Sequence, residues 1–108
     1  INEAQIQAME INKDVFIFGQ GVDKTALVFK TSKNIKEKFG VKRIFDTPNS
    51  EQGETALAAG AANAGLRPIL IHHRADFLAY TFDQIINWIS LWSFKSAGKK
   101  TIAADLMR

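Results

Sequence analysis

The spacing of apolar residues along the chain predicts an alternation of strands and helices. Runs rich in β-forming residues predict strands at residues 15–18, 43–45 and 69–72, and a fourth is expected at residues 101–104. Helical spacing and helix-ending signals predict helices between these runs. Strands that alternate with helices are typical of a parallel sheet covered on both faces. The expected fold class is therefore α/β, with three αβα layers and a mostly parallel sheet.

Four helices are expected, and two of them carry apolar stripes. They are predicted over residues 1–11, 32–39, 51–65 and 76–93. Ser32 is expected to cap the second helix and Gly40 to end it. The first stripe consists of Ile1, Ala4, Ala8 and Ile11, and the last of Leu78, Phe82, Ile85, Ile89 and Trp92. Trp88 and Leu91 lie off the last stripe, so this helix is apolar nearly all round, which favours burial against another chain.

The chain centres on residues 45–65, FDTPNSEQGETALAAGAANAG. The letters TPNS predict a tight turn, in which Asn49 or Ser50 caps the helix that follows. Glu51 then stands at the mouth of this helix, whose side chains are unusually small, and Gly65 is placed to end it. A carboxylate on a turn, backed by a smooth helix, is typical of a ligand platform.

Three loops are predicted to share one edge of the sheet. Residues 19–21, 47–51 and 72–76 each follow a predicted strand. Ligands of open parallel sheets bind at the carboxyl ends of the strands, so these loops are expected to converge on the site.

Composition limits the class of protein. A chain of 108 residues with 46% apolar and 23% charged residues is expected to form one domain over residues 1–108. It has no cysteine, no apolar run near the roughly 20 residues that span a membrane, and no secretory signal, so the cytoplasm is the default expectation. A net charge of +3 is too small to indicate nucleic acid. No metal site is expected, because the adjacent His72 and His73 point to opposite faces and there is no third histidine.

The pattern FDTPxxExG, followed by AxGAAxAGLRP and DQIIN, resembles the beta subunit of thiamine-diphosphate-dependent 2-oxoacid dehydrogenases. Several of its motifs occur in the family's order and spacing, from about residue 15 to residue 87. The resemblance implies the pyrimidine-binding domain of this transketolase-like family. Family beta subunits are longer and carry a second domain, so the chain is expected to be a fragment or split subunit of a larger enzyme.

The resemblance also implies roles for individual residues. Glu51 occupies the place of the glutamate that shares a proton with the cofactor's pyrimidine and promotes its imino tautomer. An apolar site raises the pKa of such a carboxyl and a helix start lowers it, and the sequence leaves the balance open. Phe77 lies where an aromatic ring packs on the pyrimidine. Asn49, His73 and Tyr80 are the other candidate cofactor-binding residues. The plainer alternatives are a helix-terminus glutamate, a core phenylalanine and, for His73, a satisfied polar residue at a strand end.

The resemblance covers only the half of the site that holds the pyrimidine. The family's Gly-Asp-Gly motif, which holds the diphosphate through Mg²⁺, does not occur in the chain. An alpha-type partner carrying that site is therefore implied, in a dimer of such pairs, and the chain is not expected to be active alone. The implied reaction is decarboxylation of a 2-oxoacid; the alternatives are transketolase-like ketol transfer and a non-catalytic interaction module.

Two regions depart from the family's pattern. Gln20 stands where the family usually has an acidic residue. His72, His73 and Arg74 occupy a stretch that is more apolar in pyruvate-type members, which indicates an anionic or hydroxylated substrate.

Overall fold

A computed structural model of the chain describes residues 1–23 and 31–100, together with the backbone of residues 105–107. The elements are α1 (Asn2–Ile11), β1 (Val15–Gly19), α2 (Ile35–Phe39), β2 (Ile44–Asp46), α3 (Glu51–Asn63), β3 (Arg67–Ile71), a 3-10 helix (Ala75–Thr81), a π-helix (Gln84–Ser90), α4 (Trp92–Lys95) and β4 (Asp105–Met107). The described strands are all parallel and lie in the order β2-β1-β3-β4. The α/β class predicted from the alternation of strands and helices is therefore confirmed.

Alternating side chains on the strands divide the core into two layers. The layer beneath α1 and α2 contains Met9, Val15, Ile17, Ile35, Ile44, Ile69 and Ile71. The layer beneath α3 contains Phe16, Phe18, Phe45, Ala58 and Leu70. Because strand side chains alternate between faces, each buried strand supplies both layers, and the small Ala58 lets α3 approach the stacked rings of the second layer. The three-layer αβα arrangement follows from this division.

The carboxyl ends of β1 and β3 meet where the strand order reverses. β1 pairs with β2 on one side and with β3 on the other, which makes the β1–β3 junction the topological switch point of the sheet. Gly19 ends β1 there with φ +145°, and a Cβ on it would lie 2.2 Å from the carbonyl oxygen of Ile71. Only glycine fits, and the chain continues directly into Gln20 on one strand and His72 on the other.

The face of α1 that meets the sheet differs from the predicted stripe. Gln5 and Met9 are buried, whereas Ile1 and Ile11 are exposed. The amphipathic pattern of this helix is weak, so tertiary contacts decide its orientation: the guanidinium of Arg43 donates to the carbonyl of Met9 at 3.0 Å and holds the end of the helix.

The second helix is shorter than predicted and begins without its expected cap. Ser32 is buried, and its hydroxyl donates to the carbonyl of Val22 at 2.6 Å instead of capping a helix. Asn34, with φ +64°, precedes α2, and Gly40 follows it as predicted. The predicted fourth strand at residues 101–104 lies outside the described residues, and β4 covers Asp105–Met107.

The predicted continuous helix over residues 76–93 is divided into the 3-10 helix, the π-helix and α4. Thr81 and Gln84 are its buried residues, while Phe82, a member of the predicted stripe, is 55% exposed. A change in residues per turn rotates the helix face, so a stripe drawn at 3.6 residues per turn does not stay aligned. Among the helices of the described residues, none combines the length and hydropathy that crossing a bilayer requires.

Candidate functional site

Glu51 is the first residue of α3 and lies beside the switch point. Ser50 caps the helix, its Oγ accepting from the backbone N–H of Gly53 at 3.3 Å, so one of the two predicted caps is confirmed. The Gln20 amide Nε2 donates to Oε1 of Glu51 at 3.0 Å. This hydrogen bond, reinforced by a backbone hydrogen bond, holds the pKa of the Glu51 carboxyl below its ordinary value. The sequence left open whether the pKa of this carboxyl is raised or lowered; in the structure it is lowered, which favours the ionised carboxylate.

A second carboxyl, that of Glu54, lies one helical turn behind Glu51 and is buried. Its Oε1 accepts from the Thr47 hydroxyl at 2.7 Å. Its Oε2 lies 3.5 Å from the same Gln20 amide nitrogen that binds Glu51. One amide group therefore serves two carboxyls, one at the partly exposed edge and one in the interior.

His72 closes this cluster from the end of β3. Its side chain is buried, its Nε2 lies 3.3 Å from the Thr55 hydroxyl, and its Nδ1 lies 3.8 Å from Oε2 of Glu54. Burial lowers the pKa of the imidazole, and the charges of Glu54 and Glu51 oppose that shift. The site thus joins the ends of β1, β2 and β3 to the first turn of α3.

Sequence reasoning proposed Glu51 as a site residue but did not single out the polar cluster behind it, which we call the Glu54 cluster. Its members are Gln20, Thr47, Glu54, Thr55 and His72. Helical spacing was the available signal on α3, because Glu54 and Thr55 follow Glu51 by three and four residues. The strand-end positions of Gln20 and His72 were the signal from the sheet.

The remaining predicted site residues form a second group or stay apart. Phe77 and Tyr80 lie together on the 3-10 helix, with ring centroids 6.4 Å apart, and the Arg74 guanidinium lies over the Phe77 ring. Phe77 is partly buried and Tyr80 is 68% exposed. Asn49 and His73 are exposed, and no hydrogen bond joins either of them to the Glu54 cluster within the described residues.

The side of α3 turned away from the sheet borders a pocket of about 310 Å³. Its lining consists of Ala56, Ala59, Gly60, Asn63, Gln84, Trp88 and Trp92. The indole N–H of Trp92 donates to Oδ1 of Asn63 at 3.0 Å and ties α4 to α3. The pocket is mostly apolar and is separate from the Glu51 site. In the ranges 1–23 and 31–100, no three His, Asp or Glu side chains are grouped so as to hold a metal ion.

Comparison with known proteins identifies the family of this chain. Residues 1–98 match the pyrimidine-binding domain of transketolase. The chain belongs to this family. It is also 37% identical over 102 residues to the mitochondrial pyruvate dehydrogenase E1 component subunit beta of Rattus norvegicus and that of Mus musculus, covering 94% of this chain and 28% of each relative. The corresponding subunit of Staphylococcus aureus is 37% identical over 101 residues, covering 94% of this chain and 31% of that protein.

The family assignment confirms the resemblance drawn from the FDTPxxExG, AxGAAxAGLRP and DQIIN motifs. The chain spans less than a third of the length of these relatives. The matched stretch of these relatives corresponds to 94% of this chain.

Proposed function

We propose that this domain binds the pyrimidine ring of thiamine diphosphate and forms part of a 2-oxoacid dehydrogenase, with Glu51 as the carboxyl that activates the cofactor. The observation that carries the proposal is the position of Glu51 on the first turn of α3, at the carboxyl edge of the sheet, with its Oε1 held by Gln20. This edge is where parallel sheets bind ligands. The family match and the beta-subunit relatives support the same assignment.

The residues present fit this cofactor. Glu51 is partly exposed, so a ligand can reach it, and the Phe77 and Tyr80 rings lie on the 3-10 helix that follows β3. When bound, thiamine diphosphate supplies a thiazolium carbon that attacks the carbonyl of a 2-oxoacid after losing its proton. Glu51 shares a proton with the ring nitrogen across from the amino group, and Gln20 holds the carboxyl in place for this exchange. Phe77 supplies an apolar surface for the ring.

A partner subunit completes the proposed site. An alpha-type chain is proposed to bind the diphosphate and Mg²⁺, in a heterotetramer that contains two such pairs. Large apolar side chains on the C-terminal helices support a contact surface for another chain: Phe82 is 55%, Ile86 54% and Trp88 47% exposed. The cytoplasm is the proposed compartment; two of the relatives described above are mitochondrial proteins.

One observation favours a second candidate, a non-catalytic interaction module. The Gln20 hydrogen bond lowers the pKa of Glu51, and a carboxylate that holds a proton weakly is a poorer partner for a ring nitrogen. Ketol transfer remains the alternative within the enzyme class.

Glu51→Gln in the complex with the partner subunit tests the catalytic proposal. Turnover of a 2-oxoacid is expected to fall by at least about a hundredfold, as for loss of a general acid–base group. Binding of thiamine diphosphate, measured by calorimetry, is expected to weaken much less. Glu37→Gln removes an exposed carboxyl from α2 and serves as the control. Unchanged turnover in Glu51→Gln would contradict the role given to Glu51 and favour the interaction module.

A further inference from the structure

The hydrogen bonds around Thr55 determine where the His72 ring carries a proton. The Thr55 hydroxyl lies 2.8 Å from the backbone carbonyl of Glu51 and 3.3 Å from Nε2 of His72. A hydroxyl has one hydrogen, and the shorter contact is to the carbonyl, which can only accept. The hydroxyl therefore donates to the carbonyl and accepts from the ring, so Nε2 of His72 carries a hydrogen.

The other ring nitrogen then faces a carboxyl oxygen. Nδ1 of His72 is buried and has no hydrogen-bond partner within the described residues, and its nearest charged neighbour is Oε2 of Glu54 at 3.8 Å. With Nε2 protonated, a neutral imidazole presents a lone pair at Nδ1. Two facing lone pairs in a buried site are unfavourable: Nδ1 has no compensating donor among the described residues, and the Gln20 amide lies 3.5 Å from Oε2. A single proton between the two atoms removes this conflict.

The Gln20 amide contacts the two carboxyls at unequal distances. The amide nitrogen lies 3.0 Å from Glu51 and 3.5 Å from Glu54. The closer contact ties the amide to Glu51, and the longer one relates it to Glu54.

We propose that Oε2 of Glu54 and Nδ1 of His72 share one buried proton, and that this neutral pair holds Gln20 in position against Glu51. An approach of about 1 Å between the two atoms makes the hydrogen bond. Whichever atom carries the proton, the pair has no net charge, the state that a buried site favours. Glu51 is then the remaining negative charge of the cluster.

The surroundings are consistent with a pair that keeps one proton. Burial lowers the pKa of His72. A further proton, which would give the Glu54–His72 pair a net positive charge, is therefore disfavoured. Glu51 and Glu54 are the charged groups of α3 whose fields reach His72. Thr47, at the end of β2, and Gln20, at the end of β1, are uncharged donors. On the 3-10 helix side, Arg74 and Asp76 pair with each other at the surface.

The role of the pair toward Glu51 rests on the proposed function, whereas the shared proton does not. Gln20 reaches Glu51 from a fixed direction because its amide is also held by Glu54, which Thr47 holds in turn. Glu54 and Gln20 are thus positioning residues for Glu51. They act through it and need no contact with the cofactor.

Nitrogen NMR of the full-length protein, labelled with ¹⁵N-histidine, tests the shared proton without any cofactor. His72→Gln assigns the His72 signals and separates them from those of the exposed His73. In the wild type, His72 is expected to be protonated at Nε2, with Nδ1 shifted toward the protonated position and constant from about pH 5.5 to about pH 7.5. Glu54→Gln keeps the shape of the side chain but has no acidic proton to share. It is expected to move the Nδ1 signal of His72 to the unprotonated position.

Two results of this titration would overturn the shared proton. One is a wild-type Nδ1 signal that coincides with that of Glu54→Gln, and the other is a His72 ring whose signals change between about pH 5.5 and about pH 7.5. The wild-type titration is decisive by itself if the variant fails to fold. Glu37→Gln, an exposed change, is expected to leave the His72 signals unchanged.

Turnover of the assembled complex tests the positioning role. Glu54→Ala removes the acceptor that holds Gln20 and is expected to lower kcat about tenfold with little change in KM, since Glu51 is displaced while substrate contacts remain. Glu54→Gln keeps an acceptor for Gln20 and is expected to restore most of kcat. Equal loss in both variants, or loss confined to KM, would overturn the positioning role. Failure of Glu51→Gln to affect turnover would instead fault the proposed function and leave the NMR result standing.

Discussion

At its N-terminal end, α3 meets the carboxyl ends of the strands, where hydrogen bonds join the polar groups of Gln20, Thr47, Glu51 and Glu54. On the side turned away from the sheet, the same helix borders an apolar pocket beside Trp88, which is 47% exposed. The hydrogen bonds of the first region are made between groups of this chain. The second leaves apolar surface in contact with water, which is typical of a surface that another chain covers. One helix therefore carries both the candidate chemistry and the candidate assembly surface.

The largest effect is expected from Gly19→Ala, in the first region, where α3 meets the carboxyl ends of the strands. A Cβ there would lie 2.2 Å from the Ile71 carbonyl oxygen, and φ is +145°. We expect a loss of about 3 kcal/mol or more in the free energy of unfolding, measured in urea. Gly40→Ala is the matched control, because Gly40 has φ +81° but open space around it; its expected cost is about 1 kcal/mol. Equal losses at the two glycines would show that the close approach to β3 contributes nothing.

Glu54→Ala is expected to have the next largest effect. It leaves the Thr47 hydroxyl and the Gln20 amide without their buried acceptor. The expected cost is about 2 kcal/mol in the free energy of unfolding, whereas Glu54→Gln, which keeps an acceptor, is expected to cost less than about 1 kcal/mol. A cost for Glu54→Ala no larger than that of exposed Glu37→Ala would contradict the hydrogen-bonded interior described here.

Gly60→Ala lies in the second region, beside the apolar pocket, and is expected to raise stability instead of lowering it. Gly60 lies inside α3, its substitution meets nothing within 4 Å, and it lines the pocket. In the chain without its partner, alanine is expected to raise the free energy of unfolding by about 1 kcal/mol, because glycine is a poor helix former. If another chain packs into the pocket, the same substitution weakens association, which analytical ultracentrifugation measures. Unchanged association would place the partner elsewhere.

The smallest expected effect is on acid stability. Glu51 has a pKa below its ordinary value of 4.5, so its ionised form stabilises the fold above that pH, and this contribution is lost as the pH falls through the lower folded-state value. Gln20→Met removes the hydrogen bond that is the main cause and is expected to reduce the decline of Tm below about pH 4.5. The measurement is Tm against pH for both proteins. Parallel curves would show that Gln20 does not tune Glu51.

The sequence alone determined the features that depend on short stretches of chain. Alternating apolar runs fix β1 to β3, and a turn with a capping serine fixes the start of α3, because both signals act over a few neighbouring residues. They also placed Glu51 at the edge of the sheet, and the motifs around it identified the family.

Only the tertiary structure decided the surroundings of Glu51. The strand ends predict that the loops carrying Gln20, Glu51 and His72 share one edge of the sheet, but contacts across 31 and 17 residues decide which side chains hydrogen-bond there. The face of α1 was decided in the same way, since its weak stripe gave way to the Arg43 contact, and so was the divided C-terminal helix. Local patterns specify where helices and strands begin and end. Packing against the sheet selects which polar groups are buried together and must form hydrogen bonds with one another.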